Sequence, residues 1–256
     1  MSRLRRVSHE DRLTLVEHLD ELRTRIVTCL VAFAVALGLC FWQNHLLLEV
    51  ASHPLPDAHD KLLTFGVAEP FTITLTVAVY GAMILSLPVL LYQLYAYVLP
   101  AFSHSERRMA LPILILAPLL FLAGVAFAYF VVLPAAVSFL LGFNDSQFNV
   151  QVRARDYYSF FSTTLLAVGI VFELPLAIVA LTRLGIVSVE QLSSNRRYAY
   201  LVIAIVAAAL PGVDPVSMLI EMVPLLVLFE LSILIARAFG SPKAAGGMAR
   251  PSTQER

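Results

Sequence analysis

The chain is poor in the residues on which most protein chemistry runs. Of its 256 residues only 14% are charged, and it holds two cysteines, one tryptophan and six histidines. That shortage of charge sets it outside ordinary soluble globular composition. Cys29 and Cys40 fall in one apolar run, where a helix separates them by roughly 16 Å, too far for a disulfide. His9, His18, His45, His53, His59 and His104 all lie outside the apolar cores and form no Cys/His cluster with metal spacing, so no metal and no cofactor are expected. The sequence also lacks H-E-x-x-H, G-x-S-x-G and a phosphate-cradling glycine loop. No nucleophile and base can be paired from it, and an enzyme is not expected.

What the chain has in abundance is apolar sequence: 59% of residues are hydrophobic and the mean hydropathy is +0.81. Residues 26–42, 71–99, 109–133 and 158–181 are each long enough to cross a hydrocarbon core of about 30 Å. Two shorter runs follow, 198–210 and 216–236. A Pro211-Gly-Val-Asp214-Pro215 turn joins them, and Glu221, Pro224 and Glu230 interrupt the second. They read either as two short spans across a thinned bilayer or as one re-entrant hairpin, and two spans are favoured. The fold expected is therefore all-α, an integral membrane protein with six transmembrane helices, the last two short.

Ahead of the first span, residues 8–25 are polar, yet Leu13, Val16, Leu19, Leu22 and Ile26 recur at helical spacing. Ser8 and Asp11 supply an N-terminal cap signal, which predicts an amphipathic helix at the membrane surface running into the first span. Arg3, Arg5 and Arg6 imitate the basic start of a signal peptide, but no apolar run begins until residue 26, so a cleaved signal is not expected.

Charge orients the spans. With six spans, the side holding both ends carries six Lys and Arg in the N-terminal segment, two in loop 99–108, three in loop 182–197 and four in the tail. The opposite side holds Lys61, Arg153 and Arg155. The bias places both termini in the cytoplasm. Residues 1–238 form one transmembrane domain, and 239–256 read as a disordered tail.

Few residues are candidates for chemistry. Glu173 lies deep in the fourth run, where an ionisable group is expensive and must face a cavity, water or a partner helix; a neutral Glu bonded to a neighbouring helix is the plainer account. Glu21 and Glu106 sit beside arginines on the cytoplasmic side. Surface ion pairing explains both, but paired carboxylates next to a membrane are also what a basic peptide would need. Asp214, in its Pro/Gly turn, is expected to hold turn amides, and Trp42 fits an interfacial anchor.

Several stretches together resemble the TatC family, the multispanning receptor subunit of the twin-arginine protein translocase. They are His18-Leu-Asp-Glu-Leu-Arg-Thr-Arg25, Tyr92-Gln-Leu-Tyr-Ala-Tyr-Val-Leu-Pro100 with Glu106-Arg-Arg108, Gly124-Val-Ala-Phe-Ala-Tyr-Phe-Val-Val-Leu-Pro134, Phe172-Glu-Leu-Pro175 and Asp214-Pro-Val-Ser217. They stand in the family's order across roughly residues 12 to 238. The resemblance implies a non-enzymatic receptor in the cell membrane that binds twin-arginine signal peptides of folded proteins. With single-span TatA and TatB partners and the proton-motive force, it would move those proteins across the bilayer.

By motif position, Glu21 and Glu106 match the carboxylates that receive the two arginines, with His18 and Arg23 in the entrance motif. Glu173 matches a polar group in the concave face of a glove-shaped helix array. Tyr129, Asp214, Ser217 and Met218 match the surface where a partner helix docks, and Pro54 matches a proline of the first outer loop. Tyr97 stands where the family often has Phe, and Met218 where some members have Gln. Membrane lipid and several copies in one complex are expected, and nucleic acid is not. Two other readings stay open: a proton-coupled solute transporter in which Glu173 titrates, and a scaffold that only organises other membrane proteins.

Overall fold

The structure is a computed structural model that describes residues 9–56, 62–98, 107–144, 146–148, 150–183, 186–211 and 214–238. Ten α-helices are present among the described residues. Helix α1 runs His9–Trp42 without a break, so the amphipathic segment and the first apolar run form one rod. A short α2, Asn44–Ser52, follows before α3, Glu69–Val98. Three threonines near the start of α3 turn their hydroxyls onto carbonyls of the preceding turn: Thr72 to Glu69 O at 3.0 Å, Thr74 to Pro70 O at 2.8 Å and Thr76 to Thr72 O at 2.8 Å. That local bond lets a hydroxyl sit in an apolar run without a second helix to receive it.

Helix α4, Arg107–Phe127, passes through a wide π turn at Ala128–Val132 into α5, Leu133–Gly142. The sequence predicts an end to this run at Leu133, ahead of Pro134. The chain instead continues through the wide turn, where Leu133 N donates to Ala128 O five residues back, and Pro134 falls in the first turn of α5. Helix α6, Ala154–Val171, gives way at Phe172-Glu173 to α7, Leu174–Arg183. A capping box then opens the short α8, Val189–Ser194: Gln191 N donates to Ser188 Oγ at 3.0 Å and Ser188 N to Gln191 Oε1 at 2.9 Å. Helices α9, Arg196–Ala209, and α10, Pro215–Ala238, complete the fold.

Among the described residues, five stretches are long and apolar enough to cross a membrane: Leu19–Trp42, Glu69–Tyr97, Ile115–Gly142, Ala154–Thr182 and Pro215–Arg237. The shortness expected of the last two runs is confined to α9, whose 14 residues reach about 21 Å at 1.5 Å per residue. Pro224 lies inside α10 without ending it.

Helix α6 is the most enclosed of the five and packs on α3 and α4, while α1 lies along α3 and α10 on α7 and α9. The α4–α6 crossing depends on two glycines. A Cβ on Gly124 would meet the Phe172 ring at 2.7 Å and Gly169 Cα at 3.0 Å, and one on Gly169 would meet Phe121 Cε2 at 2.6 Å. Small residues at such a crossing bring backbones together where lipid supplies no hydrophobic drive. Large apolar side chains face outward along the other helices, including Leu30, Val35, Phe130 and Leu234, and Trp42 is 80% exposed at the end of α1. That is the surface a bilayer covers. Both cysteines are free, with Cys40 buried.

Candidate functional site

At the end of the bundle where α3 finishes, Glu21 on α1 meets Arg25 one turn later. Arg25 Nη2 lies 2.6 Å and Nε 3.0 Å from Glu21 Oε1. The same guanidinium reaches across to α3, donating from Nη1 to Gln93 Oε1 at 2.9 Å and to Gln93 O at 3.4 Å, and from Nη2 to Ala96 O at 3.5 Å. Ala96 lies in the last described turn of α3, toward the negative end of the helix dipole. Arg25 therefore ties the two helices together while leaving the Glu21 side chain 39% exposed. From this point an apolar groove of about 660 Å³ descends between α1 and α3, lined among others by Cys29, Phe33, Met83, Leu90 and Tyr97. Arg23 is exposed on the same helix and Tyr97 is half-buried. His18 belongs to α1 by its backbone, and Glu106 lies outside the described residues.

Glu173 occupies the break between α6 and α7 and is buried. The Tyr95 hydroxyl of α3 donates to its Oε2 at 3.3 Å, while Oε1 has no hydrogen-bond partner among the described residues.

Along the start of α10, Asp214, Ser217 and Glu221 recur at spacings of three and four and so share a face. All three are buried, at 4%, 0% and 2% exposure. Asp214 Oδ1 accepts from Ser217 N at 2.7 Å, the helix-capping role expected of an Asp in such a turn. Its Oδ2, the Ser217 hydroxyl and Glu221 Oε1 have no partner among the described residues. Each buried unpaired group costs about 1–3 kcal/mol. Met218 beside them is half-buried against the main core. At the far end of α10, Glu230 is satisfied: Arg196 Nη2 lies 2.9 Å from Oε2, and the Tyr200 hydroxyl donates to Oε1 at 2.6 Å.

The opposite end of the bundle is closed by tyrosines. Tyr157 donates to Ala51 O at 2.6 Å, Tyr129 donates to Val50 O at 3.1 Å, and the Tyr158 hydroxyl lies 3.0 Å from Ser52 Oγ. Together they pin α2. Tyr129 also packs edge-on against Phe161 and beside His53, next to the turn that carries Pro54. A second tie joins α3 to α6. Glu69 Oε2 accepts from Phe65 N at 2.6 Å and Gly66 N at 3.1 Å, and Oε1 from Arg153 Nε at 2.9 Å, with Arg153 Nη2 2.8 Å away. Leu63 exchanges backbone bonds with Val152 and Ala154 alongside.

The candidate residues thus fall into separate places: Glu21, Arg23 and Tyr97 at one end, Tyr129 and Pro54 at the other, Glu173 at the α6–α7 break, and Asp214, Ser217 and Met218 on α10. Sequence reasoning did not single out Gln93, Tyr95, Tyr157 or Glu69. Of these, Gln93 and Tyr95 stand in the Tyr92–Pro100 stretch that carries the resemblance, and Glu69 left a local signal, an acidic residue just ahead of a proline that opens an apolar run. No group of three or more His, Cys, Asp or Glu suited to a metal occurs among the described residues.

The fold and its apolar surface define a multi-pass, all-α membrane protein. The family of the Sec-independent protein translocase protein TatC matches residues 17–224. A TatC protein of Desulforapulum autotrophicum is 36% identical over 91% of this chain and 88% of its own. That of Escherichia coli K12 is 36% identical over 91% and 92%. The crystal structure of a twin-arginine translocase receptor, TatC, superposes with a TM-score of 0.73 at 32% identity, over 86% of this chain and 98% of that one. The chain belongs to the TatC family and is a subunit of a twin-arginine protein translocase, a membrane component that is not an enzyme.

Proposed function

We propose that this chain is the signal-peptide receptor of its translocase, with six spans, both termini in the cytoplasm of a cell whose plasma membrane it crosses, and Glu21 and Glu106 receiving the paired arginines of a signal peptide. The observation that carries this reading is the state of Glu21. Its carboxylate is half-exposed and already held in guanidinium geometry, with Arg25 nitrogens 2.6 and 3.0 Å from one oxygen. A carboxylate that binds one guanidinium there has the chemistry to bind another. The groove beneath it suits the apolar stretch that would follow a basic one.

Single-span TatA- and TatB-type partners are assigned to the α10 face of Asp214, Ser217 and Met218, with Tyr129 as a further contact. Glu173 acts as an uncharged polar group within the bundle, so Glu173→Gln retains export that Glu173→Leu loses. The receptor reading is tested by fluorescence anisotropy with a labelled peptide carrying paired arginines and a paired-lysine control, on the purified full chain. Tight binding of the arginine peptide alone, weakened in Glu21→Ala and in Glu106→Ala, is expected. Equal binding of both peptides, or unchanged binding in both variants, contradicts the reading.

A further inference from the structure

At the end of the bundle away from Glu21, the loop that leads into α3 exposes apolar side chains at its tip. Thr64-Phe-Gly-Val-Ala68 are all exposed, Phe65 at 75% and Val67 completely. Thr64 is the one polar side chain between Lys61 and Glu69. Contiguous apolar surface of this kind marks an interaction site, and here it is held in place. Glu69 Oε2 accepts from Phe65 N at 2.6 Å and from Gly66 N at 3.1 Å, and Glu69 N donates to Gly66 O at 3.1 Å. Leu63 N donates to Val152 O, and Ala154 N, at the start of α6, donates to Leu63 O. The Arg153 guanidinium lies 5.5 Å from the centre of the Phe65 ring while Glu69 meets its charge.

The height of the loop follows from α3. The apolar stretch Glu69–Tyr97 has 29 residues, about 43 Å of helix at 1.5 Å per residue. A hydrocarbon core is about 30 Å thick, and a bilayer with both headgroup layers about 40–45 Å. The ends of α3 therefore reach the headgroup layers, and a tip bonded to the first residue of α3 shares that height. Phe71, 61% exposed in the first turn of α3, carries the apolar surface on into the span.

We propose that the Phe65-Gly66-Val67 tip inserts into the headgroup layer of the leaflet at that end and fixes the height of α3 and α6 in the bilayer. Lipid is the occupant because the tip is continuous with the apolar surface of α3 that the bilayer covers. Side chains such as Phe are those that interfacial segments bury at the boundary of headgroups and acyl chains. The loop brings no uncompensated charge to that layer, since Glu69 and Arg153 neutralise each other. The amides of Phe65 and Gly66, which acyl chains could not satisfy, are filled by Glu69.

The test uses the full chain reconstituted in phosphatidylcholine–phosphatidylglycerol vesicles. Trp42 is the single tryptophan, so Trp42→Phe gives a background into which Val67→Trp and, separately, Phe65→Trp place one fluorescent probe. Val67 is fully exposed, so replacing it disturbs no packing. At both positions the emission is expected to be blue-shifted from that of tryptophan in water and to resist quenching by iodide. Lipid carrying a nitroxide on its headgroup is expected to quench it more than lipid carrying the nitroxide deep in an acyl chain.

Strong iodide quenching with no lipid quenching overturns the proposal, because the tip then stands in water. Protection from iodide and from both labelled lipids also overturns it, and assigns the surface to a second copy of the chain. Strongest quenching by the deep nitroxide does so too, since the tip would then lie in the hydrocarbon core. Where the two positions differ, or Phe65→Trp loses its thermal transition, Val67→Trp decides. The readout needs no signal peptide, so it stands or falls apart from the receptor reading.

Discussion

Glu69 and Glu21 stand near opposite ends of the α1–α3 layer and are handled in opposite ways. Glu69 is 7% exposed and has both oxygens filled, by two backbone amides on one side and Arg153 on the other. Arg153 in turn lies over the Phe65 ring, 5.5 Å from its centre. Glu21 is half-exposed, and its arginine is shared with α3. A carboxylate saturated by donors from its own chain fixes structure, because any newcomer has to break several bonds to reach it. One that is half-exposed can be reached by a newcomer without opening the bundle. The α10 face is a third condition, buried polar groups with no partner among the described residues.

The sharpest way to break this comparison is at the saturated end. Glu69→Ala leaves Arg153 and two backbone amides without their acceptor, and is expected to lower the thermal midpoint of the purified protein by several degrees while leaving peptide affinity unchanged. A variant as stable as wild type would mean that the outer tie does not hold α3 to α6. Tyr157→Phe removes one buried interhelical bond to the α2 carbonyl and should cost about 0.6 kcal/mol, the average for such bonds between membrane helices, and no more than about 1.7. Denaturant titration in detergent measures it.

On the α10 face the sign reverses. Glu221→Leu removes a buried carboxyl whose Oε1 is unpaired, so the isolated chain should gain about 1 kcal/mol as co-purification of single-span partners falls. A loss of stability in the isolated chain would show that Glu221 is satisfied within it.

Much of the helical layout was readable in the sequence because long apolar runs leave the backbone no alternative in lipid. Continuation past Pro134 was not, since a π turn is set by packing and carries no residue signature. α10 also runs through Pro224 where the sequence suggested an interruption. Of the site, Glu21 could be found because its neighbours in sequence are its neighbours in space, and Glu173 because a charge in an apolar run is conspicuous. The outer tie could not. Arg153 lies 84 residues from Glu69, and Tyr157 reaches α2 across 106 residues, distances over which no local pattern extends. Gln93 stands in the stretch that carries the resemblance, but its contact with Arg25 was not legible, since only the packing of α1 on α3 brings the two together.

The most direct test sets the two carboxylates against each other, with thermal midpoint and affinity for a paired-arginine peptide measured on the same preparations of wild type, Glu21→Ala and Glu69→Ala. The account predicts a crossed result: Glu21→Ala loses affinity at nearly wild-type stability, and Glu69→Ala loses stability at wild-type affinity where it remains folded. If both variants lose both properties together, or if Glu21→Ala keeps full affinity, the division between a structural and an accessible carboxylate is wrong.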